Sequence, residues 1–222
     1  MSIERKRFLL SLISPGIFIL IIWFVKIFET SLSLDFTYLG IFPLKKTGLI
    51  GIITAPLIHA DFGHLISNSG PLLILGTGLF YFYNKIAFRV FFLVYIITNI
   101  WIWFGARHAY HIGASGLVYA LASFLFFSGV FSKNMRLMAI SLLVVFLYGS
   151  MIWGIFPIQP QISWESHLMG AICGIVLAIY YKDQGPRPKK YSWELEDEKD
   201  EDDPENEYWK ITPLENEDEK NI

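Results

Sequence analysis

Long apolar stretches alternate along the chain with short connectors that carry charges, glycine or proline. A helix needs about 17 to 25 mostly apolar residues to cross a bilayer, and the pattern predicts an all-α membrane protein with six transmembrane helices. We place the predicted spans at residues 8–28, 64–83, 86–104, 115–131, 137–156 and 164–181. The first stretch follows three cations, but it is too long for a signal peptide and no small-x-small cleavage site follows it. We therefore expect it to be retained as a span.

The connector between the first two predicted spans, residues 29–63, mixes apolar residues with glycine, proline and lysine. We expect this first loop to lie in the membrane interface as short amphipathic pieces. Counting part of it as a seventh span is the alternative, but several residues interrupt it and an odd number would place the termini on opposite sides. The interrupting residues are Pro43, Lys45, Lys46, Gly48 and Gly51.

Composition supports a membrane location and separates two regions of the chain. Hydrophobic residues make up 54% of the sequence and the mean hydropathy is +0.45, which is unusual for a soluble domain. Residues 1–182 carry 12 Lys+Arg and 5 Asp+Glu, whereas residues 183–222 carry 6 and 15. We therefore predict a membrane domain over 1–182 and an acidic cytoplasmic tail over 183–222, which is expected to be disordered because it has little apolar surface to bury.

The distribution of cations predicts the orientation. Eleven cations flank the N-terminus, the connectors after the second and fourth spans, and the end of the last span. The opposite connectors hold only Lys45, Lys46 and Arg107. The positive-inside rule then places both termini in the cytoplasm and the first loop outside the cell membrane.

A serine and a histidine, which together could form an activated nucleophile, lie where the chain should enter the membrane from outside. Ser115, in Gly113-Ala114-Ser115-Gly116, opens the fourth span, and His167 lies about one turn into the sixth. Polar groups at this depth are costly unless they have a use. A serine hydroxyl becomes an effective nucleophile when a base accepts its proton, and histidine is the commonest such base.

Small residues on both spans would allow these two groups to meet. Gly170 and Gly174 form a small-x-x-x-small face on the sixth span, and Gly116, Ala120 and Ser123 are small positions on the fourth. Such faces let membrane helices approach closely. We therefore expect the histidine ring to face the serine hydroxyl.

Candidate oxyanion donors lie on the second span. His64 and Asn68 are four residues apart, so they share one helical face near the outer surface. Together with the backbone N–H of Ser115 at a helix N-terminus, they could stabilise an oxyanion. Each also has a structural interpretation: Asn68 as an interhelical hydrogen bond and His64 as an interfacial residue.

A third, acidic catalytic member is not expected. No Asp or Glu occurs between His64 and Trp164, and Glu165 is two positions from His167, so it should point to roughly the opposite face of the helix. A Ser-His dyad is favoured over a triad. Tyr119, one turn after Ser115, could hold the imidazole by packing or through its hydroxyl.

The remaining histidines, His59, His108 and His111, have no assigned partner, and we interpret them as interfacial or loop-structuring residues. A Gly-x-Ser-Gly motif alone is more typical of helix packing than of catalysis. The convergence of four polar residues from three spans at one depth favours a site. The single cysteine, Cys173, argues against a cysteine-based metal site.

These residues resemble those of the rhomboid intramembrane serine proteases. The resemblance covers about residues 8–182 and rests on three motifs: His59-x4-His64-x3-Asn68, Gly113-Ala114-Ser115-Gly116 with Tyr119, and Ser166-His167-x2-Gly170-x3-Gly174. A Trp-Arg pair found in the first loop of many members is missing here, which puts the packing of that loop in question.

The resemblance implies a six-helix bundle with Ser115 as nucleophile, His167 as general base, and His64, Asn68 and the Ser115 amide as the oxyanion hole. Gly113, Gly116, Tyr119, Gly170 and Gly174 would support this set. The implied substrates are transmembrane segments of membrane proteins, cleaved in or near the lipid bilayer at a small residue in a segment that unwinds easily. No metal, cofactor or nucleic-acid partner is implied.

Two other functions fit parts of the pattern. A non-proteolytic relative would bind membrane helices as a scaffold, but it would normally have lost Ser115 or His167. A small transporter or channel would also place polar residues around a cavity, yet it would be expected to show inverted repeats and charges at mid-depth. The polar residues here cluster near one face instead.

Overall fold

The computed structural model describes residues 2–147, 153–158 and 163–185. These contain seven α-helices and no β-strand, which confirms the predicted all-α fold. The helices are α1 (Ile3–Ser31), α2 (Gly51–Thr54), α3 (Phe62–Phe82), α4 (Ala87–Gly105), α5 (Ser115–Phe131), α6 (Met135–Leu147) and α7 (Trp164–Tyr180). Residues 186–222, almost the whole predicted tail, lie outside the described residues.

Six of these helices correspond to the six predicted spans. Helices α1, α3 and α4 are long and apolar enough to cross a membrane, whereas α5, α6 and α7 are apolar but have 17, 13 and 17 residues. The predicted fifth span extended to residue 156, but Trp153–Ile155 forms a separate 3-10 turn. At 1.5 Å per residue α5 is about 25 Å long, which is shorter than a hydrocarbon core of about 30 Å.

The outward faces of the longer helices suit a lipid environment. On α1, Leu20 and Phe24 are 70% and 68% exposed, and Phe88 and Phe92 on α4 are exposed to a similar degree. Soluble proteins seldom expose contiguous apolar patches of this kind. Lipid chains would cover these side chains without an unfavourable contact with water.

The first loop folds as short helical pieces and not as a seventh span. Residues Lys46–Leu57 form three consecutive short helical segments. The loop is fixed to the α4–α5 connection by paired backbone hydrogen bonds between Ile41 and His111, of 3.0 and 2.8 Å, and by Leu44 N–H, which donates to the carbonyl of Trp103. The loop thus packs on the end of α4 that leads toward Ser115.

A buried ion pair ties α1 to the loop that precedes α3. Lys26 Nζ lies 2.7 Å from Glu29 Oε2 and also donates to the carbonyl of Ala60 at 2.9 Å. Glu29 Oε1 accepts the backbone N–H of Phe36 at 2.8 Å. The hydropathy pattern showed only an apolar stretch here, so this clamp was not predicted.

Helix α5 lies at the centre of the bundle, where it contacts α3, α4, α6 and α7. Its closest approach is to α7 and depends on glycine. A Cβ atom on Gly170 would lie 2.1 Å from the carbonyl oxygen of Gly116, and one on Gly174 would lie 2.2 Å from that of Ala120. The small-residue contact expected from the sequence is present, and it brings the backbones of α5 and α7 together.

Candidate active site

Ser115 is the first residue of α5, and a strained turn precedes it. Gly113 has φ of +106°, a conformation that side chains disfavour, and a Cβ atom there would lie 2.5 Å from Cε1 of His64. Gly113 N–H donates to the carbonyl of Ala55 at 2.9 Å. Glycine is required here because of both the backbone angle and the close approach of the imidazole.

The first backbone amides of α5 point out of the helix N-terminus. The first intrahelical bond runs from Val118 N–H to the carbonyl of Ala114. By helix geometry the amide of Ser115 therefore has no acceptor within its own helix. Such an amide can bind a negatively charged oxygen.

The serine hydroxyl meets the histidine of α7. Ser115 Oγ lies 2.8 Å from His167 Nε2, and His167 Nδ1 lies 2.8 Å from the carbonyl oxygen of Gly154. A carbonyl can only accept, so Nδ1 carries the ring proton of the neutral imidazole. Nε2 is then the acceptor for the serine hydroxyl, which is the arrangement that a general base requires.

Tyr119 packs against this histidine. The two rings are parallel within 8°, with centroids 4.2 Å apart. His167 itself is 8% exposed. The stacked tyrosine and the Gly154 carbonyl together restrict both the tilt and the rotation of the imidazole.

The two predicted oxyanion donors occupy α3 but differ in their contacts. His64 is half-buried and lies against Gly113, two residues before Ser115. Asn68 is buried one turn further along, and its Nδ2 donates to the carbonyl of His64 at 3.1 Å. The structure therefore brings His64 to the turn before Ser115, while the Asn68 amide is bound to its own helix.

His59 turns out to be a buried residue that supports the backbone beside Ser115. Its Nε2 accepts the N–H of Ala114 at 3.4 Å, and its ring lies 5.1 Å from that of His64. Burial lowers the pKa of His59 to about 3. The ring is therefore neutral at physiological pH and keeps its acceptor. Its place five residues before His64 in the sequence motif was the only signal.

A second polar cluster joins the α4–α5 connection to the start of α7. His111 Nε2 donates to the carbonyl of Arg107 at 2.9 Å, and Nδ1 makes a short hydrogen bond to Ser163 Oγ. Ser163 Oγ lies 2.6 Å from Ser166 Oγ, the residue before His167. Burial lowers the pKa of His111. His108, in contrast, is exposed and stacks on Phe42.

Glu165 belongs to this cluster and not to the dyad. Its Oε1 lies 3.6 Å from Arg107 Nε, and its side chain is buried, whereas that of Arg107 is 38% exposed. The sequence led us to expect Glu165 to point away from the face of His167, and its contact with Arg107 agrees with that orientation. The ion pair with Arg107 was missed because nothing in the local pattern joins residues that far apart.

An apolar groove opens beside the stacked tyrosine, between α5 and α6. It has a volume of about 280 Å³, and its walls include Tyr119, Phe126, Leu142 and Ile155. Because Tyr119 contacts His167, the groove ends next to the dyad.

The comparisons with known proteins identify the family of the chain. The family described as Rhomboid domain matches residues 46–184, from the first loop through α7. Uncharacterized proteins of Mycobacterium tuberculosis and Mycobacterium bovis are each 32% identical to the chain over 189 residues, which is 79% of this chain and 77% of theirs. One from Mycobacterium leprae is 34% identical over 188 residues, 79% of this chain and 73% of its own.

Proposed function

The chain belongs to the rhomboid family of integral membrane proteins, and from that premise we propose that it is a serine endopeptidase that cleaves transmembrane segments of other membrane proteins. The observation that carries the proposal is the hydrogen-bonded series Ser115 Oγ, His167 Nε2, His167 Nδ1 and Gly154 O, with both bonds at 2.8 Å. A packing serine needs no base aligned on it in this way.

The reaction follows from the positions of these atoms. Ser115 Oγ attacks the carbonyl carbon of the scissile peptide while its proton passes to His167 Nε2. The resulting imidazolium then gives that proton to the departing amine, which leaves an acyl-enzyme on Ser115. Water, deprotonated by the same histidine, attacks the ester and releases the second product.

The oxyanion formed in each attack needs donors that are already in place. We assign this role to the Ser115 amide, to His64 and to Asn68. His64 already lies beside the turn that leads into Ser115. Asn68 Nδ2 donates one N–H to the carbonyl of His64 at 3.1 Å, and its second N–H is the donor that we assign to the oxyanion.

The substrate would be a membrane-spanning segment that unwinds locally, because a helical peptide bond is shielded from attack by its own turns. The apolar groove beside Tyr119 supports this choice, since it suits apolar side chains next to the dyad. The lipid bilayer holds enzyme and substrate together. By the positive-inside rule, both termini would be cytoplasmic and the dyad would lie near the extracytoplasmic face of the cell membrane.

Covalent labelling of the purified protein with a serine-directed fluorophosphonate tests this function. We expect an adduct on Ser115 that is lost in Ser115→Ala and in His167→Ala, together with loss of cleavage of a reconstituted transmembrane substrate. Ser123→Ala is the matched control, because Ser123 lies on the same helix and should leave labelling intact. A folded wild-type protein that neither labels nor cleaves would be a helix-binding scaffold instead of a protease.

A further inference from the structure

We propose that the backbone carbonyl of Gly154 is the positioning group that orients His167, in the place that a carboxylate occupies in a catalytic triad. This inference rests on the proposed protease function for its consequence on rate. Its structural basis is the 2.8 Å hydrogen bond from His167 Nδ1 to Gly154 O. Gly154 lies in the short 3-10 turn Trp153–Ile155, between α6 and α7.

In the described residues, His167 Nδ1 is bonded to a backbone carbonyl and not to a carboxylate. No acidic residue occurs between His64 and Trp164. Glu165, the nearest along the chain, is directed to Arg107. A triad histidine needs an acceptor at Nδ1 to hold the tautomer whose Nε2 is free to accept a proton. Here that acceptor is a neutral peptide carbonyl.

Only glycine fits at this position of the turn. A Cβ atom on residue 154 would lie 2.1 Å from Tyr119 Oη and 2.9 Å from His167 Nδ1. The backbone of the turn therefore lies directly against both stacked rings. Any side chain would push the carbonyl away from the imidazole.

The chemical consequence concerns one proton. When Ser115 Oγ gives its proton to Nε2, the imidazolium keeps its Nδ1 proton, which is directed at the Gly154 carbonyl. The carbonyl dipole stabilises that cation without accepting the proton. Because a dipole does this less well than a carboxylate, we expect its loss to slow the reaction by about 10²-fold, at the low end of general-base contributions.

A backbone ester between Gly154 and Ile155 tests the carbonyl without changing any side chain at the dyad. Replacing Ile155 by its α-hydroxy acid makes the Gly154 carbonyl an ester carbonyl, which is a weaker acceptor. We expect kcat to fall by about 10²-fold with little change in KM. An ester one residue later, which removes the bond from Phe156 N–H to Trp153 O, is the control for the turn and should have a smaller effect.

A steric test complements the ester. Gly154→Ala should reduce kcat to a similar extent. Adding Tyr119→Phe removes the atom closest to the new Cβ, so the double variant should recover activity toward the level of Tyr119→Phe alone. Ile158→Ala is the control, because Ile158 is exposed and follows the same turn. It should leave kcat unchanged, both alone and when added to Gly154→Ala.

The tautomer of His167 provides a readout that does not depend on activity. With ¹⁵N-labelled histidine in a Ser115→Ala background, we expect His167 to carry its proton on Nδ1, and Gly154→Ala to shift population toward Nε2–H. An unchanged tautomer together with an unchanged kcat in the ester variant would overturn the inference. If the wild type shows no protease activity, the tautomer measurement alone decides whether Gly154 orients the ring.

Discussion

Two regions hold α7 in place, and they do so by opposite means. On the side facing α5, the contact is made by neutral groups: glycine against backbone, a tyrosine ring against an imidazole, and one carbonyl. On the side facing the α4–α5 connection, it is made by an ion pair and a series of polar side chains around His111. We call these the glycine side and the polar side.

The difference shows where a helix bundle in a membrane can place charge. A carboxylate beside the dyad would need to be desolvated at a depth where charges are costly. The glycine side avoids that cost, since close backbone contact fixes His167 without an ion. On the polar side, the charged pair is Arg107 and Glu165, and water can reach Arg107 because its side chain is partly exposed.

The largest effect should come from separating the helices on the glycine side. Gly170→Ala places a Cβ 2.1 Å from the carbonyl oxygen of Gly116, so α7 must move by more than 1 Å to restore van der Waals contact. A misplacement of about 1 Å costs roughly 10²-fold in rate, and overpacking costs about 1 to 3 kcal/mol of stability. Cleavage kinetics and thermal unfolding in detergent measure both.

Gly16→Ala is the matched control for this prediction. Gly16 also lies within a membrane helix, but nothing is within 4 Å of a Cβ added there. We expect wild-type kinetics and equal or slightly higher stability. If Gly170→Ala kept wild-type activity, the close contact between α5 and α7 would not be what positions the dyad.

A smaller effect should follow on the polar side. Arg107→Ala leaves Glu165 as a buried carboxylate without this cation, which we expect to destabilise the protein by about 2 kcal/mol. Adding Glu165→Gln removes the charge and should restore most of the stability. Among the described residues, the hydrogen bonds of this region lead to Ser166, the residue before His167, and not to the imidazole itself, so kcat should fall by less than in Gly170→Ala. Equal rate losses for the two variants would abolish the distinction between the two sides.

The sequence predicted the contacts of the glycine side better than those of the polar side. Helix positions and the glycine face follow from periodicity and residue size, which are local properties, and the structure shows both. Gly154 was missed because a carbonyl acceptor exists at every residue and leaves no sequence signal. The two ion pairs differ in how far apart their residues lie in the sequence. Lys26 and Glu29 are within one helical turn, so their pairing could have been predicted, whereas Arg107 and Glu165 are distant in the sequence and theirs could not.

The smallest expected effect is a pH dependence from His59, which supports the turn before Ser115. Burial, with smaller contributions from His64 and Lys26, lowers its pKa to about 3, while the Leu57 carbonyl and Asp61 oppose the shift. The unfolded chain, with a pKa near 6.5, binds more protons between these values, so stability is full above about pH 6.5 and declines as the pH falls toward 3. At pH 5 we expect a loss of about 1 to 2 kcal/mol relative to pH 7.5.

Thermal unfolding measured against pH tests this expectation. The stability of His59→Gln should depend less on pH than that of the wild type, whereas His108→Gln, which changes an exposed histidine, should follow the wild type. Parallel profiles for wild type and His59→Gln would mean that another group carries the acid sensitivity of this region.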